Sequence, residues 1–166
     1  MYYSPSVNCI VNRIIPSPKM SSEHETSELP PVDPTIIPLT ASIHLSPLLP
    51  TDFPTMIRHL NDPAVYANLI GPPNPYTTAD AEDFYRHVRT RLWTDPRNEN
   101  AQPMRHHHMI RETESGEPVG AIEICPYSNK EESGRDIWSV GYWLAPEWRG
   151  KGVMTAAVTM LVEEVM

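Results

Sequence analysis

The chain is short of cysteine, glycine and positive charge. Its 166 residues contain two cysteines, Cys9 and Cys125. Their spacing matches no zinc or redox motif, which excludes a disulfide scaffold and fits a reducing compartment. Thirteen Lys and Arg against 21 Asp and Glu give a formal net charge of −8. That balance excludes a general nucleic-acid binder, whose affinity comes from neutralising phosphates with cations. No apolar run approaches the roughly 20 residues needed to span a bilayer. Residues 9–11 and 14–15 are apolar but are split by Asn12 and Arg13, so the opening stretch lacks a secretory core. An intracellular, cytoplasmic setting is expected, with neither nucleic acid nor membrane as partner.

Proline, by contrast, is abundant. Ten of the 19 prolines lie before residue 55, set among Ser, Thr and Glu, a composition that cannot bury enough apolar surface to order itself. Residues 1–40 therefore read as a flexible Pro/Ser-rich tail, and 41–166 as the folded domain. Met20, followed by Ser21 and Ser22, offers a second plausible start, in which case residues 1–19 are upstream sequence.

Within the domain the hydrophobic periodicity changes several times. Residues 42–46 alternate, with Ile43 and Leu45 on one face, and read as a strand. Thr51 offers a helix cap ahead of Phe53, Met56, Ile57 and Leu60, and Asn61, Asp62 and Pro63 interrupt that pattern. "LIGPPNPYTT" is irregular because three prolines and a glycine remove donors and restrict dihedrals. Thr77 with Asp80 forms a capping box for a second helix, carrying Ala81, Phe84, Val88 and Leu92 and ending near Trp93. "HHHMIRE" and "PVGAIEICPY" flank Glu114, Ser115 and Gly116 as two strands about a tight turn, and "IWSVGYWLAP" is a fourth strand. A last helix carries Val153, Ala157, Met160, Leu161 and Val165 on its inner face. The order is β-α-α-β-β-β-α.

Between the fourth strand and the last helix stands "EWRGKGVMTAAV", residues 147–158. Two glycines at a helix start cost about 1 kcal/mol each relative to alanine, so something other than helix stability requires them. The first helical turn leaves its N–H groups without intrahelical partners and carries a partial positive charge. Glycines let the backbone approach an anion there, and Arg149 and Lys151 can neutralise it from the side. The turn is therefore suited to a pyrophosphate. A Walker A loop is excluded because Gly152 follows Lys151, and a dinucleotide fingerprint because Thr155 stands three residues after Gly152.

The string "VGYWLAPEWRGKGVMTAAV", residues 140–158, resembles the acetyl-coenzyme A turn of GNAT-type N-acetyltransferases, and specifically their RimJ/RimL-like branch. Arg149 and Gly152 fit the motif, and Met154 stands at its last small position. The resemblance implies an α/β (α+β) fold of three layers about a mixed, mostly antiparallel sheet, and transfer of an acetyl group from acetyl-CoA to a primary amine. The acceptor it implies is a protein N-terminus, a polyamine or a small molecule. It further implies cofactor binding by Tyr142, Trp143 and Leu144 along pantetheine, and by Arg149, Gly150, Lys151, Gly152, Val153 and Met154 around the pyrophosphate. The family continues past this helix with another strand, a helix and a strand pair. The sequence stopping at Met166 is thus expected to lack part of the domain, to expose the fourth strand's edge to self-association and to transfer weakly. The alternative is a non-catalytic CoA-binding or protein-interaction module.

Transfer to an amine needs a base, an oxyanion donor and an acid for the leaving sulfur. Glu123, between Ile122 and Ile124 on the third strand, is the candidate base, and Tyr142 the candidate proton donor. Relatives often carry a carboxylate where this chain has Ser139. No metal is expected. Neighbouring strand residues face opposite sides, so of His106, His107 and His108 at most His106 and His108 could share a site, and no Cys or carboxylate stands at ligand spacing. One buried imidazole and two wet ones are expected.

Overall fold

The computed structural model describes residues 32, 34–90, 92–94, 100, 103–127 and 137–165. Five strands form one sheet: β1 (Ile37–Pro38), β2 (Ile43–Ser46), β5 (His107–Glu112), β6 (Pro118–Tyr127) and β7 (Ile137–Leu144), in that spatial order. All four pairings are antiparallel. The helices are α1 (Phe53–Leu60), α2 (Pro63–Tyr66), α3 (Thr78–Thr90) and α4 (Val153–Val165). Strands β3 (Leu92–Trp93) and β4 (Met104–Arg105) pair separately as a two-stranded sheet.

Alternation along the strands divides the core in two. Ile43, Leu45, Ile110, Ile122, Ile124 and Leu144 meet Val153, Ala157 and Leu161 of α4 on one face. Met109, Ala121 and Trp143 meet Met56, Leu60, Val65 and Ala81 on the other, beneath α1, α2 and α3. The result is the expected three layers. A bulge interrupts β5 and β6, where Ile110 pairs with Gly120 but Arg111 with Pro118. This inserts Val119 into the α4-side core. Gly120 is required beside it, because a Cβ there would lie 2.6 Å from the Trp143 carbonyl oxygen.

Several expectations change. Residues 37 and 38 fall inside the stretch 1–40 read as tail, yet pair with Leu45 and His44; the remaining calls on residues 1–31 lie outside the described residues. Asn61 and Asp62 end the first helical pattern as expected, but a short helix, α2, follows at once. Pro63 instead fills its first position, where no N–H is needed, and the Asp62 carboxylate accepts the Ala64 N–H at 2.8 Å. Trp93 belongs to β3 rather than to a helix end. Thr51 does not cap α1: it lies in a 3-10 turn, Pro50–Asp52, whose Asp52 faces inward. The Thr77–Asp80 capping box is present, with Asp80 Oδ2 accepting the Thr77 N–H at 2.8 Å.

Asp52 meets the most demanding group in the core. Arg111 on β5 is 7 % exposed and Asp52 2 %. The guanidinium donates to both Asp52 carboxylate oxygens, at 2.8 and 2.6 Å, to Ser46 Oγ at 2.6 Å, to the Gly116 carbonyl at 3.0 Å and to the Pro47 carbonyl at 3.2 Å. All five of its N–H donors are thereby used. Asp52→Ala is expected to destabilise the chain by about 3–5 kcal/mol, the cost of stranding a buried cation. Adding Arg111→Met should recover part of that loss. Urea unfolding of the single and double variants checks both, and a double variant no more stable than Asp52→Ala would contradict the account.

Candidate active site

After Leu144 the chain passes through a second 3-10 turn, Pro146–Trp148, to Arg149, then Gly150 at φ +71° and Gly152 at φ +76°. Residues with a Cβ rarely adopt those angles. Nothing lies within 4 Å of a Cβ built on either glycine. The dihedrals, and not close packing within the chain, are therefore what the glycines supply. Gly152 accepts the Ala156 N–H at 3.0 Å and so stands as the residue capping α4. A glycine has no side-chain acceptor, so it leaves the first N–H groups of the helix, at Val153, Met154 and Thr155, uncapped by its own atoms and directed at whatever lies before the turn.

What lies before it is a cleft of about 860 Å³. One wall is α2 and its continuation, with Val65, Asn68, Leu69 and Ile70; the other is β7 from Val140 to Leu144; the floor is the glycine turn and the start of α4. Strand β7 is the edge of the described sheet, paired on one side only. Ala145 donates to the Val119 carbonyl at 2.8 Å, which fixes the alternation: the backbone of Trp143 turns towards β6, and that of Tyr142 and Leu144 turns outwards into the cleft. Of the three residues expected to serve along this edge, Trp143 therefore contributes the least. Its side chain is buried, with its ring centroid 5.4 Å from that of His59.

The two cations of the turn differ. Lys151 is exposed, its Nζ 4.8 Å from the centroid of the Trp148 ring at the cleft wall. Arg149 instead donates Nε–H to the Leu144 carbonyl at 3.0 Å and an Nη2 hydrogen to the Ala64 carbonyl at 2.9 Å. The sequence identifies the residue but not these partners.

Glu123 is 5 % exposed. It pairs across the sheet with His107 on one side and Gly141 on the other, under the layer of α1 and α3. Gly141 has no side chain and lines the cleft, so no side chain of β7 stands between Glu123 and the sheet edge at that level. Tyr142 is 51 % exposed and lines the cleft. It pairs with Ile122 and so projects from the opposite face to Glu123. Tyr142 thus stands at the β7 edge in the cleft, whereas Glu123 stands one strand inward, on β6 and on the opposite face, and is not among the residues that line the cleft. Ser139 lies on β7, two residues before Gly141 and opposite Cys125.

The histidines depart from expectation. His107 and His108 are both buried, and only His106 is half-buried, its Nδ1 3.0 Å from the Ile124 carbonyl. A sheet covered on both faces buries consecutive residues. His107 meets Phe84 edge-on at 5.1 Å, and its pKa is pushed down to about 3 by burial, then by the positive charges of His108 and Arg105. Burial also lowers that of His59 and His44, each with a neighbouring arginine adding to the effect. Among the described residues no group of His, Cys, Asp and Glu is placed to hold a metal ion.

A sequence profile of the acetyltransferase (GNAT) domain matches residues 42–166. Among solved structures the chain is similar to a GNAT-family acetyltransferase from Bacillus anthracis, with TM-score 0.54 and 13 % identity, covering 78 % of this chain and 64 % of that one. It is similar also to a probable acetyltransferase, with TM-score 0.53 and 19 % identity, covering 79 % and 66 %. At such identities the likeness is one of fold, and this chain spans about two thirds of each structure's length. No curated protein sequence gives a match.

The depressed histidine pKa values have a sign. Below the ordinary value of 6.5 the unfolded chain binds protons that folded His107 refuses, so stability falls as pH drops from 6.5 towards 3. Between pH 6.5 and 5, before carboxylates dominate, His107 is expected to contribute a slope approaching about 1.4 kcal/mol per pH unit, with His44 and His59 adding in the same direction. Unfolding free energies measured across that window in wild type and His107→Phe should show a shallower slope in the variant; equal slopes would remove His107 from the account.

Proposed function

The chain belongs to the acetyltransferase (GNAT) domain family, and we propose on that premise that it moves an acetyl group from acetyl-CoA to a primary amine. GNAT domains use acetyl-CoA as cosubstrate, and the observation that carries the reading here is the turn itself. Two glycines at positive φ stand ahead of a helix whose capping residue has no side chain, at the floor of a cleft walled by an outward-facing strand edge. This arrangement fits a pyrophosphate joined to an extended amide chain.

In this reading the N–H groups from Gly150 to Met154 hold the pyrophosphate, with Lys151 beside them, and the outward groups of Tyr142 and the outward N–H of Leu144 pair with pantetheine. Acetyl-CoA supplies an acyl group already activated as a thioester. Glu123 takes the proton from the acceptor amine, directly or through one water, past Gly141. An outward N–H of β7 donates to the carbonyl oxygen as charge develops on it. Tyr142, half exposed at the cleft, returns a proton to the leaving sulfur.

The "GYWLAPEWRGKG" string with Met154 supports placement in the RimJ/RimL-like branch. The acceptor is a protein N-terminus, a polyamine or a small amine, and the net charge of −8 favours a cationic one. Scarce cysteine supports an intracellular, cytoplasmic site, and no described helix is long and apolar enough to cross a membrane. The one-sided pairing of β7 adds self-association through that edge as a partner proposal. A non-catalytic CoA-binding or interaction module has no observation of its own in favour.

Acetyl-CoA at about 100 times its Kd is expected to stabilise the fold by about 2.7 kcal/mol, read as a rise in Tm. Gly152→Val, strained at φ +76° and carrying a side chain into the open space above the turn, should fold but lose that rise. A full rise in the variant would refute the turn as the binding site. Glu123→Gln should lower the transfer rate about 10²- to 10⁴-fold with acetyl-CoA affinity unchanged. Turnover at the wild-type rate in that variant would remove Glu123 as base.

A further inference from the structure

Arg149 is the first residue of the glycine motif, and its charge suggests a phosphate partner. Its geometry gives it another task. The guanidinium reaches the Leu144 carbonyl at the end of β7 and the Ala64 carbonyl in α2, two backbone acceptors on opposite walls of the cleft. Helix α2 is four residues long, far below the roughly 12–15 residues at which an isolated helix becomes marginally stable. It must be held from outside. Asp62 caps its start, Val65 is buried beneath it, and Asn68 Nδ2 returns to the same Ala64 carbonyl at 2.9 Å. Val65 shares its cluster with Ala121 and Trp143 of the sheet, and Arg149 adds a hydrogen-bonded tie across the cleft to the end of β7.

We propose that Arg149 is a positioning residue that braces α2 against the end of β7 and so sets the width of the cleft, rather than a ligand of the pyrophosphate. The proposal rests on the reading that the cleft takes acetyl-CoA. A planar fork serves two carbonyls at fixed angles, and an ammonium on a flexible stem does not. Neutralisation of phosphate then falls to Lys151 and the backbone N–H groups. The brace acts equally on every ligand that lies between the walls, whether or not the ligand carries phosphate.

The test compares Arg149→Ala, Arg149→Lys and Lys151→Ala with wild type in the full chain. Two probes are used, acetyl-CoA and the phosphate-free acetyl-pantetheine, with Kd measured across a range of salt. Both Arg149 variants should weaken both probes by the same factor, about tenfold for lost charge-assisted hydrogen bonds, with an unchanged slope of log Kd against log salt. Lys151→Ala should weaken acetyl-CoA alone and flatten its slope. A loss confined to acetyl-CoA in Arg149→Ala, rescued by lysine and accompanied by a shallower slope, would overturn the proposal and make Arg149 a phosphate ligand. Amide hydrogen exchange of the ligand-free chain separates this from failure of the function itself. The N–H groups of Val65 to Leu69, bonded within this segment, should exchange about tenfold faster in both Arg149 variants, in line with one such bond lost. Unchanged exchange would overturn the brace even if acetyl-CoA binds. Faster exchange with no binding of either probe to wild type would retain the brace and sink the acetyl-CoA reading.

Discussion

A buried arginine has few places it can go, and the position of Arg111 decides much of this fold. Its acceptors come from the end of β2, from the turn before α1 and from the turn after β5. An unpaired guanidinium in the core would cost more than most single contacts contribute. These segments must therefore converge before α1 can sit on the sheet. The consequences run along the chain. With its start fixed, α1 lays His59 against Trp143 of β7. Its end is fixed by Asn61, whose Nδ2 donates to the Ile57 and Tyr76 carbonyls while its Oδ1 accepts the Tyr76 N–H. Helix α2 follows within two residues, and its place as a cleft wall is inherited from the arginine at the far end of α1.

At the other end of this chain of contacts a second arginine closes the arrangement. Arg111 is buried and answers to a carboxylate; Arg149 is exposed at the surface and, among the described residues, donates to two carbonyls. The first fixes where α1 begins, and the second fixes how far α2 stands from β7. Between them the proposed binding surface is mostly backbone: an outward strand edge and a helix start whose capping residue is a glycine. Such a surface recognises amide and phosphate groups without many side chains of its own, which is why the motif that marks it consists of two glycines and little else.

The periodic parts of this structure were legible in the sequence, because Ile43 and Leu45, or Ala81 and Val88, can repeat at their spacings only by sharing a face. The glycine turn was legible for a different reason: Gly150 and Gly152 contradict the helix they precede. What failed to show was short or distant. Two-residue strands such as β3 and β4 have no period, and Pro63 reads as a break when it is a first helical residue. Pro38 made β1 look like tail. The burial of His107 and His108 follows from helices on both faces, which one strand's pattern does not report. Neither arginine's partners could be read, since Asp52 lies 59 residues from Arg111 and Ala64 lies 85 from Arg149.

The placement of Glu123 and Tyr142 on opposite faces bears on how two substrates can share one site. A strand in the middle of a sheet would keep groups on its two faces apart, since each face is sealed by packed side chains. At an edge the separation is only the thickness of one backbone. Opposite Glu123 that backbone is Gly141, which adds no side chain to the barrier. In the proposed mechanism the α4 side then offers the glycine turn and Tyr142 to the thioester, and the α3 side offers a buried carboxylate to the amine. On the proposed reading the reacting atoms meet along β7 because it is where the two faces come closest. On that reading the bare backbone at Gly141 is what lets the two sides meet, and a side chain at residue 141 would divide the site in two.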